Sequence, residues 1–327
     1  MTKRFGDHTA VDRLDLAVPE GAIYGFIGPN GSGKTTTLRM ILRIFYPETG
    51  RISVLGCDRS RVADDRVGYL PEERGLYKRM RVRDLLTYYA RLKGFRRCRQ
   101  EIDDWLERFD LTEWAVRRID TLSKGMAQKV QFISAVVARP KLLVLDEPFT
   151  GLDPLNMEVL KDAVVSLHRG GTTVIFSTHD MDIAERMCDT VFMICRGRKV
   201  LDGTLESIQS QYGQDTIRVR LSEKGDRSNL PAPTEGWSRP EGCCAQIGPV
   251  SFFRGAFENL PGVMRVNDYG RYTELRMAPQ ADSQAILREL LHRASVEHFE
   301  LARPSLHDIF VRIAGAEAQT AEVIGHG

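Results

Sequence analysis

Short apolar runs alternate with stretches of helical spacing through about residue 210, and this alternation predicts an α/β fold. Ala22-Ile23-Tyr24-Gly25-Phe26-Ile27, Lys141 to Leu145 and Thr173 to Phe176 are the apolar runs, with the continuous character of strands buried on both faces of a parallel sheet. Thr35 to Phe45 reads as a helix leaving the first of them. Val159, Leu160, Ala163, Val164 and Leu167 recur at helical spacing, which predicts one stripe packed on the sheet. From about Leu76 to Ile133 the pattern is helical, and Leu85, Leu86, Tyr88, Tyr89 and Leu92 are expected to form its buried face.

After Tyr212 the period changes. Thr216-Ile217-Arg218-Val219-Arg220-Leu221, Val263-Met264-Arg265-Val266 and Glu274-Leu275-Arg276-Met277 alternate as half-buried strands do. Ile286, Leu287, Leu290 and Leu291 mark an amphipathic helix, and the Pro-, Gly- and Ser-rich segment 226–242 reads as a loop. The expected organisation is therefore a first domain over 1–212, with a helical subdomain at about 76–133. A small α+β domain over 213–314 and a frayed tail over 315–327 follow.

Composition changes little in this picture. Hydrophobic residues are 42% and charged residues 28%, as in ordinary globular chains, and a formal net charge of +2 makes no electrostatic case for nucleic acid. Cys57, Cys98, Cys188, Cys195, Cys243 and Cys244 form no CxxC pair or metal-ligand spacing, so reduced cytosolic thiols are expected. Met1-Thr2-Lys3-Arg4-Phe5-Gly6 contains no signal-peptide run, and no segment approaches the roughly 20 apolar residues that span a bilayer. If the chain serves a membrane, another polypeptide is expected to cross it. Arg79, Arg81, Arg83, Arg91, Lys93, Arg96, Arg97 and Arg99 make the helical stretch basic. They read as a solvated helix surface or, more sharply, as a docking face for anionic lipid or an acidic partner.

The chemistry lies in the order of the motifs. Gly28-Pro29-Asn30-Gly31-Ser32-Gly33-Lys34-Thr35-Thr36 is a glycine-rich turn between a predicted strand and a predicted helix. Such a turn aims backbone N–H groups and a helix N-terminus at phosphates. Lys34 is expected at the β- and γ-phosphates and the Thr35 hydroxyl on Mg²⁺. Asp146-Glu147 ends an apolar strand and delivers two carboxylates. Asp146 is expected to hold Mg²⁺, and Glu147 to orient and deprotonate the attacking water.

With Leu122-Ser123-Lys124-Gly125-Met126, Thr150-Gly151-Leu152-Asp153 and Ser177-Thr178-His179, these segments resemble the ATP-binding-cassette (ABC) ATPases over nearly all of residues 3–210. The resemblance implies a P-loop NTPase fold with a parallel core sheet, an antiparallel β subdomain and a helical subdomain. It also implies ATP and Mg²⁺, and a dimer that sandwiches two ATP molecules. Ser123 and Gly125 stand in the family signature, from which Lys124 and Met126 depart. They would meet the γ-phosphate held by the other subunit, with Asp153 crossing the interface and His179 contacting the γ-phosphate. Phe5 takes the place of the adenine-stacking aromatic. Glu72, after Tyr69-Leu70-Pro71, stands where the family has a glutamine, and is expected as a site residue and metal contact in the loop that couples to the transmembrane partner.

Gly68 to Tyr77, Ser123-Lys124-Gly125 and Pro304 to Phe310 resemble the ATPase subunits of bacterial exporters with separate permease chains, including the sodium-efflux type. The expected setting is the cytoplasmic face of the membrane, as a peripheral subunit, with permease subunits and a second, identical ATPase as partners and no nucleic acid. One rival is a soluble ABC ATPase acting on ribosomes or DNA, whose members carry paired cassettes or long coiled coils that this chain lacks. Another, a small-molecule P-loop kinase, leaves Ser123-Lys124-Gly125 and His179 unexplained. Family members also place a strand ahead of the Lys3-Arg4-Phe5-Gly6 segment, and here the strand is expected to be missing or to lie upstream of Met1.

Overall fold

The computed structural model describes residues 1–57, 65–73, 75–212, 216–222, 254–257, 259–268, 272–278 and 281–313. The chain forms two compact units that divide after Ile208. The 226–242 loop, Cys243, Cys244 and the 315–327 tail lie outside the described residues.

The first unit opens with the hairpin β1 (Lys3–Phe5) and β2 (His8–Val11). Then come β3 (Ile23–Ile27), α1 (Lys34–Ile41) and β4 (Val67–Leu70). The helices α2 (Val82–Leu92), α3 (Arg99–Arg108) and α4 (Lys124–Val136) follow. After them the chain alternates through β5 (Leu142–Asp146), α5 (Pro154–Arg169), β6 (Thr173–Thr178) and α6 (Met181–Met187). It ends in the pair β7 (Thr190–Cys195) and β8 (Arg198–Thr204), and α7 (Leu205–Gln211) leads across the boundary.

The central sheet has the order β4-β5-β6-β3-β7-β8. Its first five strands run parallel, and β8 is antiparallel. Because side chains alternate along a strand, β3, β4, β5 and β6 each feed two cores. Leu143, Leu145, Val174 and Phe176 pack with Leu85, Leu86, Phe132, Ile133 and Leu160 on one face. Leu142, Val144 and Ile175 pack with Leu38, Met40 and Ile41 on the other. The consequence for function is that β3, β4, β5 and β6 all deliver their carboxyl ends to one edge, where α/β sheets bind ligands.

Several expectations are corrected in detail. The Lys3-Arg4-Phe5 segment is itself strand: Gly6, at φ 58, turns the chain so that Phe5 pairs with His8. A three-residue strand is too short to show a period. The antiparallel subdomain consists, among the described residues, of this hairpin with bridges Thr2 to Thr49 and Val54 to Cys57. Helix α1 stops at Ile41, short of Phe45, because Arg43 adopts φ 60 and turns the chain away. On α2 the buried stripe is Val82, Leu85, Leu86 and Ala90, while Tyr88 and Leu92 face solvent. Of the basic residues, Arg83 pairs with Asp103 and ties α2 to α3, while Lys93 donates to Val67 O at 3.1 Å and ties α2 to the sheet. Arg79, Arg91, Arg96 and Arg97 are exposed.

The second unit contains β9 (Thr216–Leu221), α8 (Arg254–Phe257), β10 (Val263–Asp268), β11 (Thr273–Met277), α9 (Ser283–Arg293) and β12 (Val296–Ala302). Its antiparallel sheet has the order β10-β11-β9-β12. Ile217, Val219, Leu275, Ile286 and Leu290 form its own core. Leu291, expected in the stripe, is 57% exposed. Strand β12 was not expected, since Val296 to Ala302 carries two glutamates and a histidine among its apolar residues. Among the described residues no helix is long and apolar enough to cross a membrane.

Candidate active site

The loop between β3 and α1 shows why glycine is required where it stands. A Cβ on Gly28 would lie 2.2 Å from Ile194 O, and Gly33 has φ 103 with Ala10 O at 2.5 Å from its own would-be Cβ. Strand β2 and the β7–β8 turn therefore press directly on the loop, and Gly197 N donates to Ser32 O at 2.8 Å. Helix α1 starts on Gly33 with no side-chain cap, as α2 and α3 also start uncapped, whereas Ser123, Asp153 and Asp180 cap α4, α5 and α6. On α1 the uncapped first-turn N–H groups adjoin the glycine-rich loop, an arrangement that suits an anion. Pro29, Asn30 and Gly31 are exposed on the loop, Thr36 is half-buried beside Thr35, and Ser32 Oγ is buried without a hydrogen-bond partner.

The ends of β5 and β6 meet this loop. Lys34 Nζ donates to Gly28 O at 2.6 Å and Pro29 O at 3.2 Å, and lies 3.6 Å from Glu147 Oε1. Thr35 Oγ1 donates to Asp146 Oδ1 at 3.2 Å, and Ser177 Oγ donates to the same oxygen at 2.6 Å. His179 Nδ1 lies 3.0 Å from Glu147 Oε2, to which Thr150 Oγ1 donates at 3.1 Å. Glu147 sits at φ 49, a conformation that costs a side-chain-bearing residue about 1–3 kcal/mol and gathers at functional sites.

Electrostatics follows from this burial. Burial pushes the Lys34 ammonium below its ordinary range, opposed by Glu147 and then Asp146. Burial pushes the Asp146 carboxyl above the usual range, opposed by hydrogen bonds from Ser177 and Thr35. Asp146 Oδ2 and Glu147 Oε1 are buried with no hydrogen bond. Orphaned carboxylate oxygens beside a hydroxyl and a lysine fit a cation and phosphates. Among the described residues no three His, Cys, Asp or Glu side chains gather into a metal cluster. Mg²⁺ suits such a place, since it commonly leans on one or two carboxylates, waters and substrate phosphates.

A cleft of about 320 Å³ opens beside Asp146 and Glu147, with Glu72, Lys124, Thr150 and Gly151 on its walls. The remaining expected residues are engaged elsewhere. Ser123 Oγ accepts from Met126 N at 3.2 Å, capping α4. Asp153 accepts from Asn156 N at 3.0 Å, and the hydrogen bonds from Asn156 hold its carboxyl below the usual range. Asn156 Nδ2 also lies 3.2 Å from the position a Cβ on Gly125 would take, so the N-termini of α4 and α5 meet there. Phe5 is 45% exposed on β1, edge-on to Phe45 at 5.4 Å, with Lys3 Nζ 5.2 Å from its ring centre. Sequence reasoning missed the roles of Ser177, Thr150 and Asn156. Ser177 was in view within Ser-Thr-His, but its hydrogen bond to Asp146 exists only because β5 and β6 pair in register.

A phosphate loop on a parallel sheet, with two carboxylates ending a nearby strand, defines a P-loop nucleotide hydrolase. Residues 11–150 match the family described as ABC transporter, and residues 249–314 match the C-terminal domain described as ATP-binding protein DrrA1-3-like. The chain is 39% identical over 97% of its length to 97% of the ABC transporter ATP-binding protein YhaQ of Bacillus subtilis. It is 34% identical over 97% of its length to 96% of the Nod factor export ATP-binding protein I of Paraburkholderia xenovorans. The solved structure of an ATP-binding subunit of an ABC transporter superposes on 64% of the chain and 90% of its own, with TM-score 0.61 and 29% identity. This chain belongs to the ABC transporter ATPases and carries a DrrA-like C-terminal domain.

Proposed function

We propose that this chain is the ATP-hydrolysing subunit of a membrane exporter and works as a pair of identical copies enclosing two ATP molecules. The observation that carries this reading is the convergence of Lys34, Thr35, Asp146, Glu147 and His179 on one edge of the sheet, where Asp146 Oδ2 and Glu147 Oε1 are buried without a hydrogen bond. The loop Gly28 to Thr36 holds the phosphates, with backbone N–H groups of Gly31 and Gly33 to Thr36 as donors, and Lys34 neutralises the β- and γ-phosphates. Thr35 and Asp146 would hold Mg²⁺, with Glu72 on the same cleft; bound there, the cation offsets charge on the phosphates. Glu147 takes a proton from water as the water oxygen bonds to the γ-phosphorus and the bond to the bridging oxygen of the ADP leaving group breaks. His179, turned to Glu147 through Nδ1, has Nε2 left to meet the γ-phosphate. In the pair, Ser123, Gly125 and Asp153 face the partner's nucleotide, and Phe5 stacks on adenine. The export relative supports the export direction, and with it a permease partner at the cytoplasmic face of the membrane.

The test is Glu147→Gln, whose amide cannot accept the proton. It should bind ATP, lose turnover by about 10²–10⁴-fold, and accumulate as an ATP-bound dimer in size-exclusion chromatography with Mg-ATP. Turnover at the wild-type rate would remove Glu147 from the chemistry.

A further inference from the structure

Helix α4, capped by Ser123, reaches both carboxylate-bearing loops of its own chain through two buried amides. Gln128 and Gln131 are three residues apart, hence on one face, and are 7% and 5% exposed. Gln128 Nε2 donates to Pro148 O, next to Glu147, at 3.0 Å. Gln131 Nε2 donates to Glu73 O at 3.2 Å and, at the outer limit of a hydrogen bond, to Pro71 O at 3.5 Å. Those two carbonyls flank Glu72. Only the NH₂ side of an amide can face two carbonyl oxygens, so the orientation of Gln131 follows from chemistry. Residues 71–73 belong to no strand or helix, so the loop's own backbone does not hold it by a ladder. Gln131 also lines the same cleft as Glu72, Asp146 and Glu147.

We propose that Gln131 is a positioning residue for ATP hydrolysis. By holding the carbonyls on both sides of Glu72, it keeps that carboxylate on the cleft beside Asp146 and Glu147. It also ties the carboxylate's placement to the helix whose N-terminus carries Ser123. Engagement of Ser123 by a nucleotide is thereby linked to the geometry of the chain's own site. The inference rests on the functional reading given above.

The test is a double-mutant cycle on the full chain, with Gln131→Met keeping similar bulk but losing the donor. ATP turnover should show kcat down by roughly three- to tenfold, the range expected for one lost hydrogen bond. KM for ATP, set by the phosphate loop, should stay within about twofold, because binding and chemistry separate in such a variant. Glu72→Ala should lower kcat by itself, and adding Gln131→Met to it should cost nothing further. Equal losses from Gln131→Met in both backgrounds, or an unchanged kcat in Glu72→Ala, overturn the proposal, since Gln131 would then only pack. If Gln131→Met fails to fold, Gln131→Asn, an amide too short to reach the carbonyls, serves the same comparison. A wild-type chain without ATP turnover strikes the functional reading and this inference together. Wild-type turnover with an additive cycle strikes the inference alone.

Discussion

Asp146 illustrates how a single residue trades stability for chemistry. It is 1% exposed, and one carboxylate oxygen has no hydrogen-bond partner. Burial holds its carboxyl above the ordinary range, so the folded chain binds this proton more tightly than the unfolded chain does. By linkage, that contribution is present at low pH and lost as pH climbs from the ordinary aspartate range through the raised value. Asp146→Asn keeps an acceptor for Ser177 and Thr35 but discards the buried charge. Thermal melts should therefore give it a higher Tm than wild type at neutral pH, with the gap closing toward acid, while Mg-ATP turnover is lost. A lower Tm at neutral pH would mean that the hydrogen bonds from Ser177 and Thr35 outweigh the desolvation. The type and order of Lys34, Thr35, Asp146 and Glu147 were legible because phosphate chemistry narrows the usable residue types. The hydrogen bonds of Thr150 and Ser177 were not, because they depend on where separate strand ends meet.

At the scale of elements, Ser123 has two roles that substitution can separate. It caps α4, and in the proposed dimer it donates to the partner's γ-phosphate. Ser123→Ala should lose the cap and about 1 kcal/mol of stability. Ser123→Asp caps about as well as serine, so denaturant unfolding should match wild type. It would nevertheless set a carboxylate against phosphate, and turnover should fall sharply. Normal turnover in Ser123→Asp would free Ser123 from any phosphate contact. The buried strands were readable from their apolar runs, yet β5 and β6 run further than those runs, to Asp146 and Thr178. Polar residues continue a strand when the register pairs them, as Asp146 does with Ser177. Helix α1 ends early because Arg43 takes a left-handed conformation without the glycine that would announce it.

For the whole molecule, the two units carry separate cores, and only the first contains the phosphate loop. Calorimetry should then show two unfolding transitions. Mg-ATP at a hundredfold excess over Kd should stabilise only the first unit, by about 2.7 kcal/mol. A single transition that shifts as one would mean that the units unfold together and that the division after Ile208 carries no energetic weight.

The amino-acid sequence by itself determined the α/β class, the phosphate loop, the strand-ending carboxylates and the change of architecture after Tyr212. Each of these is local: a period, a run or a motif contained within a few neighbouring residues. Tertiary structure alone decided that Ser177 braces Asp146, that Gln131 holds the loop around Glu72, and that Gly125 packs against Asn156 near Asp153. It also decided that Lys3 to Phe5 is a strand and that Tyr88 and Leu92 face solvent. These facts join segments 30 to 60 residues apart or depend on which side of an element meets a neighbour. Parallel pairing imposes such meetings: strands distant in sequence must end at the same edge, and only there do their polar residues find one another.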